Sequence, residues 1–274
     1  MPATENPEIR SAPESELRFW LSITRRLPRV RGAGSISGMA ERIYNRRKRP
    51  DATVNVLDFK MCLDPADSME RRLLFCPHLH DRDEIACLRE NLKPGNVFLD
   101  AGANVGFYSL VAASVVGVAG KVISVEADPF NASRLAANIS LSGAKNVRVV
   151  NVGLSDKTET LRLGLNDAGN RSGNSFLYDG PKGVTVECKT LTDVLLTEGI
   201  KKVDGAKFDI EGFEFKVIQK FFEDGKTELW PQFFIVEQND FFEKKGGGDT
   251  VGLLKQNGYA VSQISELNYF AVRK

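Results

Sequence analysis

The sequence predicts an α/β protein with a mostly parallel sheet, helices on both faces and an antiparallel hairpin at the C-terminus. Three observations carry that reading. Apolar strand-like runs at 96–100, 121–126, 147–152, 206–210 and 232–237 alternate with helical stretches at 104–116, 130–143 and 213–223, the rhythm of successive βαβ units. The stretch VFLDAGANVGFYSL at 97–110 ends a strand in an aspartate and turns through two glycines into a helix, as ligand-binding strand ends do in such sheets. The last residues, NGYAVSQISELNYFAVRK, read as two strands joined by a tight turn, too short a link for a parallel crossover.

A chain of 274 residues with 42% hydrophobic content is long enough for one large α/β domain with attachments. Its formal charge of +1 leaves no global basic field that would argue for nucleic acid or acidic lipid. Cys62, Cys76, Cys87 and Cys188 form no C-x-x-C pair, which suits free, mostly buried thiols in a reducing cytoplasm. No stretch approaches the ~20 apolar residues that span a bilayer, and no signal-like core opens the chain. The expectation is a soluble intracellular protein.

Residues 1–50 form a separate basic appendage, with eleven Arg or Lys against five Glu. Within it Leu17, Trp20, Leu21, Thr24 and Leu27 fall near helical spacing, so a short amphipathic helix should end at Pro28. Arg25, Arg26, Arg29, Arg31 and the Arg46–Arg49 cluster suit either an anionic membrane surface or a helix that covers the core or a homo-oligomer contact. The main domain is assigned to residues 51–274. Near its start Asp81 is expected to cap a helix through Leu92, with Glu84 as capping-box partner, before Pro94-Gly95 breaks it. Between the third and fourth strands the rhythm lapses into short strands at 159–164 and 184–188, separated by the polar loop NDAGNRSGNS.

At the end of the first strand, Gly102 and Gly106 let backbone approach a ligand, and the next helix points its N-terminus at the same crevice. Glu126 ends the second strand twenty residues after Gly106, where a carboxylate can accept both hydroxyls of a ribose. The motif D-A-G-A-N-V-G lacks the G-x-G-x-x-G that receives a pyrophosphate. A zwitterionic amino-acid tail fits it better. The only histidines, His78 and His80, stand beside Asp81 and Asp83 in PHLHDRDE, a cluster that suggests a base or metal ligands; no metal is assigned. Phe107, Tyr108, Phe213 and Phe215 read as core.

LDAGANVGFYSL, VISVEADP, NVGLSD, KFDIEGFE and FFIVE resemble, in order, the motifs of FkbM-family methyltransferases over roughly residues 80–240. The resemblance implies a Rossmann-like class I methyltransferase fold, with a seven-stranded sheet ending in an antiparallel hairpin. It further implies S-adenosyl-L-methionine as cofactor and methyl transfer to oxygen, often on a sugar, glycan or secondary metabolite. Carried over by position, Asp100, Gly102, Asn104 and Gly106 would surround the methionine part, Glu126 the ribose, and Ser155 with Asp156 the adenine edge. FCPHLH departs from the family pattern, which leaves the roles there open.

Methyl transfer needs positioning and a nearby base. Asp209 and Glu211, at the end of the fourth strand, are the candidates, with His78 a third; Asp209 is expected to matter more for turnover than for cofactor affinity. Glu237 and Asn239 end the next strand alongside. Asn170, Arg171 and Asn174 in the polar loop offer hydrogen bonds to a polyhydroxylated acceptor. Two other classes compete: a noncatalytic S-adenosylmethionine-binding module or scaffold, and a nicotinamide-dependent dehydrogenase, which the missing pyrophosphate motif disfavours.

Overall fold

The computed structural model describes residues 15–28, 33–44, 49–166 and 170–274. The chain divides into two compact units, Met1–His80 and Asp81–Lys274.

The first unit contains helices α1 (Ser15–Thr24) and α2 (Ala33–Tyr44), an antiparallel hairpin of β1 (Ala52–Val56) and β2 (Phe59–Leu63), and helix α3 (Ser68–Phe75). Leu17 and Thr24, seven residues apart, share the buried face of α1, as 3.6 residues per turn requires. Thr24 Oγ1 donates to the Phe75 carbonyl at 2.8 Å. Arg25, grouped above with the surface charges, is instead an internal tie. Its guanidinium donates to the Leu74 carbonyl at 2.8 Å and to that of Asn55, and burial lowers its pKa. In the hairpin, Ala52, Val54 and Val56 alternate inward, the period of a half-buried strand. Asp67 caps α3 through the amides of Met69 and Glu70. Residues 51–80, assigned from sequence to the main domain, pack within this first unit. Arg29, Arg31, Arg46, Arg47 and Lys48 lie outside the described residues.

The second unit opens with α4 (Arg82–Asn91) and then alternates: β3 (Val97–Ala101), α5 (Phe107–Val116), β4 (Lys121–Val125), α6 (Pro129–Ser142) and β5 (Val147–Val150). An excursion follows through β6 (Gly153–Leu154), β7 (Glu159–Gly164) and β8 (Gly183–Lys189), which form a small sheet of their own. The chain returns through α7 (Leu191–Thr197), β9 (Gly205–Phe208), α8 (Glu214–Glu223) and β10 (Phe233–Glu237). It closes with a short turn, α9 (Asp240–Phe242), then α10 (Thr250–Gln256), β11 (Tyr259–Gln263) and β12 (Asn268–Arg273).

The seven-stranded sheet has the order β11-β12-β10-β9-β3-β4-β5. β3, β4, β5, β9 and β10 are parallel, and β12 is antiparallel to both β10 and β11. This is the class I methyltransferase sheet expected from the sequence, with the hairpin's second strand inserted beside β10. Strands covered on both faces read as continuous apolar runs, and VFL, VISV and FFIV are buried throughout or nearly so. Strand order reverses between β4-β3 and β9-β10, so the carboxyl ends of β3 and β9 open a crevice at the switch point.

Two local expectations change. Helix α5 begins at Phe107 rather than 104, because Gly102, Asn104 and Gly106 all have positive φ, a left-handed course that no helix can follow. Asp81 does precede α4, but in a left-handed conformation and without a side-chain cap. Its carboxylate accepts from the Tyr108 hydroxyl at 2.9 Å. Glu84, the other half of the expected capping box, accepts instead from Ser265 and Asn268, pinning the terminal hairpin to α4.

Candidate active site

The glycine turn after β3 is held from two sides. The amides of Gly102 and Ala103 donate to the Val125 carbonyl at 2.9 and 3.0 Å, drawing the turn over the end of β4. A Cβ on Gly102 would lie 1.8 Å from the Asp209 carbonyl oxygen. Only glycine permits that approach, which sets the end of β9 against the turn.

Glu126 closes the β4 side of the crevice. Its Oε2 accepts from the Asn104 amide at 2.8 Å and its Oε1 from the Asp128 amide at 2.9 Å. Each oxygen keeps a second acceptor direction for a hydroxyl. Burial pushes its pKa up to about 7 against these two amide bonds. Asp128 caps α6 through the Phe130 amide and accepts from Asn174 Nδ2, both at 2.9 Å. The polar loop is thereby tied to the end of β4. Arg171 stacks over the Phe130 ring at 4.8 Å, and Asn170 accepts from Ser172. On the loop's other side Ser175 Oγ donates to the Glu211 carbonyl at 2.7 Å, so the loop bridges the end of β4 and the carboxylates described next.

Register builds a polar row that strand patterning does not reveal. Asp100 is paired with Ser124 on β4 and Lys207 on β9, and residues level with each other on parallel strands face the same way. Ser109 of α5 bonds both Asp100 Oδ2 (2.6 Å) and Ser124 Oγ (2.7 Å). Asp100 is fully buried, and its Oδ1 has no partner. Lys207 Nζ lies 2.8 Å from Asp209 Oδ2 and 4.4 Å from the Tyr108 ring centroid. Burial alone would lower the pKa of this ammonium; Asp209 and Asp100 outweigh it and raise it, so Lys207 stays charged. Tyr108, read from sequence as core filler, is buried but also supports the ammonium and bonds Asp81.

Beyond Asp209 the backbone makes a left-handed turn, with φ of 53° at Glu211 and 101° at Gly212. Glu214 fixes it by accepting from the amides of Ile210 (2.6 Å) and Gly212 (2.9 Å). This turn aims Glu211 at Asp209 and Glu237, and the three carboxylates approach within 4.8 Å of one another, a spacing that admits shared protons or a cation. Burial, then the charges of Asp209 and Glu214, pushes Glu211 up to about 8. Burial, then the charge of Asp209 and a hydrogen bond with it, pushes Glu237 up to about 9. Glu214 rises to about 7, chiefly by burial. A cleft lined by Gly212, Glu214, Glu237, Gln238, Phe242 and Thr250 among others adjoins them.

Ser155 and Asp156 follow β6. Ser155 Oγ donates to Glu159 at 2.7 Å, and Lys216 pairs with Asp156 at 3.0 Å. His78 belongs to the first unit, where its Nε2 lies 3.1 Å from the Leu27 carbonyl. The structure thus brings together the glycine turn, Glu126, the polar loop and the Asp209–Glu211–Glu237 cluster. Sequence reasoning missed Lys207, Ser109, Ser124 and Glu214. Only the charges of KFDIEGFE, a lysine entering an apolar strand and an extra glutamate after the glycine, hinted at two of them.

The residues present fit S-adenosylmethionine. Glu126 retains acceptor directions for a ribose, the glycine turn leaves backbone accessible, and the unpartnered Asp100 oxygen sits at the strand from which that turn departs. The profile of the methyltransferase FkbM domain matches residues 100–261. Methyltransferase sdnD of Sordaria araneosa is 30% identical over 160 residues, covering 46% of this chain and 61% of its own. Protein-L-isoaspartate O-methyltransferase 2 of Archaeoglobus fulgidus is 38% identical over 66 residues, covering 24% and 30%. The chain therefore spans about three fifths and under one third of these relatives. Among solved structures, a SAM-dependent methyltransferase from Aquifex aeolicus matches 69% of this chain and 87% of its own, at 17% identity and a TM-score of 0.39. A SAM-dependent O-methyltransferase from Thermotoga maritima matches 70% and 65%, at 13% identity and a TM-score of 0.41.

Proposed function

The chain belongs to the FkbM family of S-adenosylmethionine-dependent methyltransferases, and from that premise we propose that it methylates a hydroxyl oxygen of a sugar, glycan or secondary metabolite in the cytoplasm. The carrying observation is the carboxylate cluster at the ends of adjacent strands, with Asp209, Glu211 and Glu237 within 4.8 Å of one another. When bound, the cofactor supplies an electrophilic methyl group on a sulfonium. The chain's own residues must then hold the acceptor oxygen in line and take its proton.

These two tasks divide between unlike carboxylates. Asp209, paired with the Lys207 ammonium, is a fixed acceptor that orients the hydroxyl. Glu211, pushed up to about 8, is matched to receive a proton near neutral pH. Glu237 and the loop residues Asn170, Arg171 and Asn174 provide further hydrogen bonds, as an acceptor with several hydroxyls requires. Glu126 and the glycine turn bind the cofactor, and Ser155 with Asp156 supports the adenine edge. Cys76 and Cys188 are buried.

The test is labelled methyl transfer from S-adenosylmethionine across a panel of hydroxylated acceptors, with and without chelator, using wild type, Glu211→Gln, Asp209→Asn and His78→Ala. Label on oxygen, lost in Glu211→Gln while S-adenosylhomocysteine still binds, supports the assignment. Label on nitrogen or carbon overturns oxygen transfer. Full activity in Glu211→Gln with loss in His78→Ala moves the base to the histidine.

A further inference from the structure

The proposed chemistry leaves the surface of the first unit unused. Helix α1 buries Leu17 and Thr24, and Trp20 and Leu21 flank them, partly buried. At 100° per residue, Phe19 and Ile23 project to the opposite side. Phe19 is 58% exposed and Ile23 38%. On α2, Ala40 and Tyr44 are buried, whereas Met39 is 55% exposed, three residues before exposed Arg42. Arg18 and Arg26 are exposed as well.

Charge is distributed to match. Residues 1–50 carry eleven basic side chains against five acidic ones, whereas residues 51–274 carry 26 against 31. Basic side chains are thus concentrated in the segment of sequence that carries α1 and α2, on a chain otherwise net acidic. We infer that the exposed faces of α1 and α2 form a docking surface for an anionic lipid bilayer, with Phe19, Ile23 and Met39 entering the acyl boundary and Arg18, Arg26 and Arg42 meeting headgroup phosphates.

The chemistry of the patch separates this occupant from others. Guanidinium groups hydrogen-bond phosphate while aliphatic side chains enter hydrocarbon, the combination that interfacial helices use. Nucleic acid would satisfy the arginines but leave Ile23 and Met39 against a polar backbone. A second copy would bring like charges face to face, which costs energy. Among the described residues no helix is long and apolar enough to cross a membrane.

The experiment is co-sedimentation of the full chain with vesicles of phosphatidylcholine alone and of phosphatidylcholine with phosphatidylglycerol, at low and high salt. The protein is expected to sediment with the anionic vesicles, and to be released by salt. Arg18→Gln/Arg26→Gln/Arg42→Gln should weaken partitioning by about a hundredfold, as three headgroup contacts imply. Phe19→Ser/Ile23→Ser/Met39→Ser should weaken it by at least about tenfold. Both variants should keep the wild-type thermal midpoint, showing that they fold. No partitioning, equal partitioning to neutral vesicles, or wild-type partitioning by the folded apolar variant overturns the inference. So does a sedimentation-velocity dimer abolished by the same substitutions, which assigns the surface to a second copy. No methyl acceptor is needed, so this result stands apart from the methyl-transfer reading.

Discussion

Lys207 Nζ and Asp209 Oδ2 lie 2.8 Å apart at the end of one strand, with the lysine side chain 6% exposed and the aspartate 39%. The ammonium is a positive charge that acts on Asp209, Asp100, Asp81 and Glu211.

Lys207→Met should therefore strand Asp209 beside three glutamates. Breaking a fully buried pair costs about 3–5 kcal/mol; with Asp209 partly in water, about 1–3 kcal/mol is expected. The ion pair exists only while Asp209 is ionised, so the deficit should grow as pH rises from about 4 to 8. Urea unfolding of both proteins across that range measures it. A pH-independent deficit would mean that packing, not charge, is what the lysine supplies.

The raised glutamates predict a downward slope in wild-type stability. Glu211, Glu214 and Glu237 have folded pKa values near 8, 7 and 9 against 4.5 ordinarily, so the folded state binds their protons more tightly. Their contribution is fully present below about pH 4.5 and is lost as pH rises through the folded values. Each group adds at most about 1.4 kcal/mol per pH unit to that slope. Glu211→Gln/Glu237→Gln should flatten the dependence of the urea midpoint between about pH 6 and 9. An unchanged slope in the double variant would show that these groups titrate ordinarily.

Glu126→Ala should weaken S-adenosylhomocysteine binding by roughly ten- to more than a hundredfold, the worth of a charge-assisted hydrogen bond of about 1.5–3 kcal/mol. The substitution also frees the Asn104 and Asp128 amides, so the glycine turn loosens with it. Calorimetric titration of the folded variant checks this. Wild-type affinity would remove Glu126 from the cofactor site.

Glycine substitutions should differ in severity. A Cβ on Gly102 meets the Asp209 backbone at 1.8 Å, whereas one on Gly106 meets the Leu135 Cδ1 at 2.6 Å, and a side-chain end can shift where backbone cannot. Both positions have positive φ, so each alanine also costs about 1–2 kcal/mol in backbone strain. Gly102→Ala should lower the thermal midpoint well beyond Gly106→Ala. Equal losses would show that conformation alone, not the approach of β9, demands glycine at 102.

What the sequence determined by itself is local. Alternating apolar runs and turn signals are written in neighbouring residues, and they specified the βαβ rhythm, the closing hairpin, the glycine turn and Glu126 at its strand end. The capping box failed for the same reason: Asp81 and Glu84 have cap spacing, but Tyr108, Ser265 and Asn268, distant in sequence, offered their side chains other partners. Tertiary structure alone decided the Ser124–Asp100–Lys207 row, because alignment across parallel strands depends on how whole strands pair. It also decided the bridge from Asp128 through Asn174 and Ser175 to Glu211, and the unlike surroundings of Asp209 and Glu211. Both residues are carboxylates in the same motif, and what separates them is burial and distance to one ammonium, quantities that do not exist until the chain has folded.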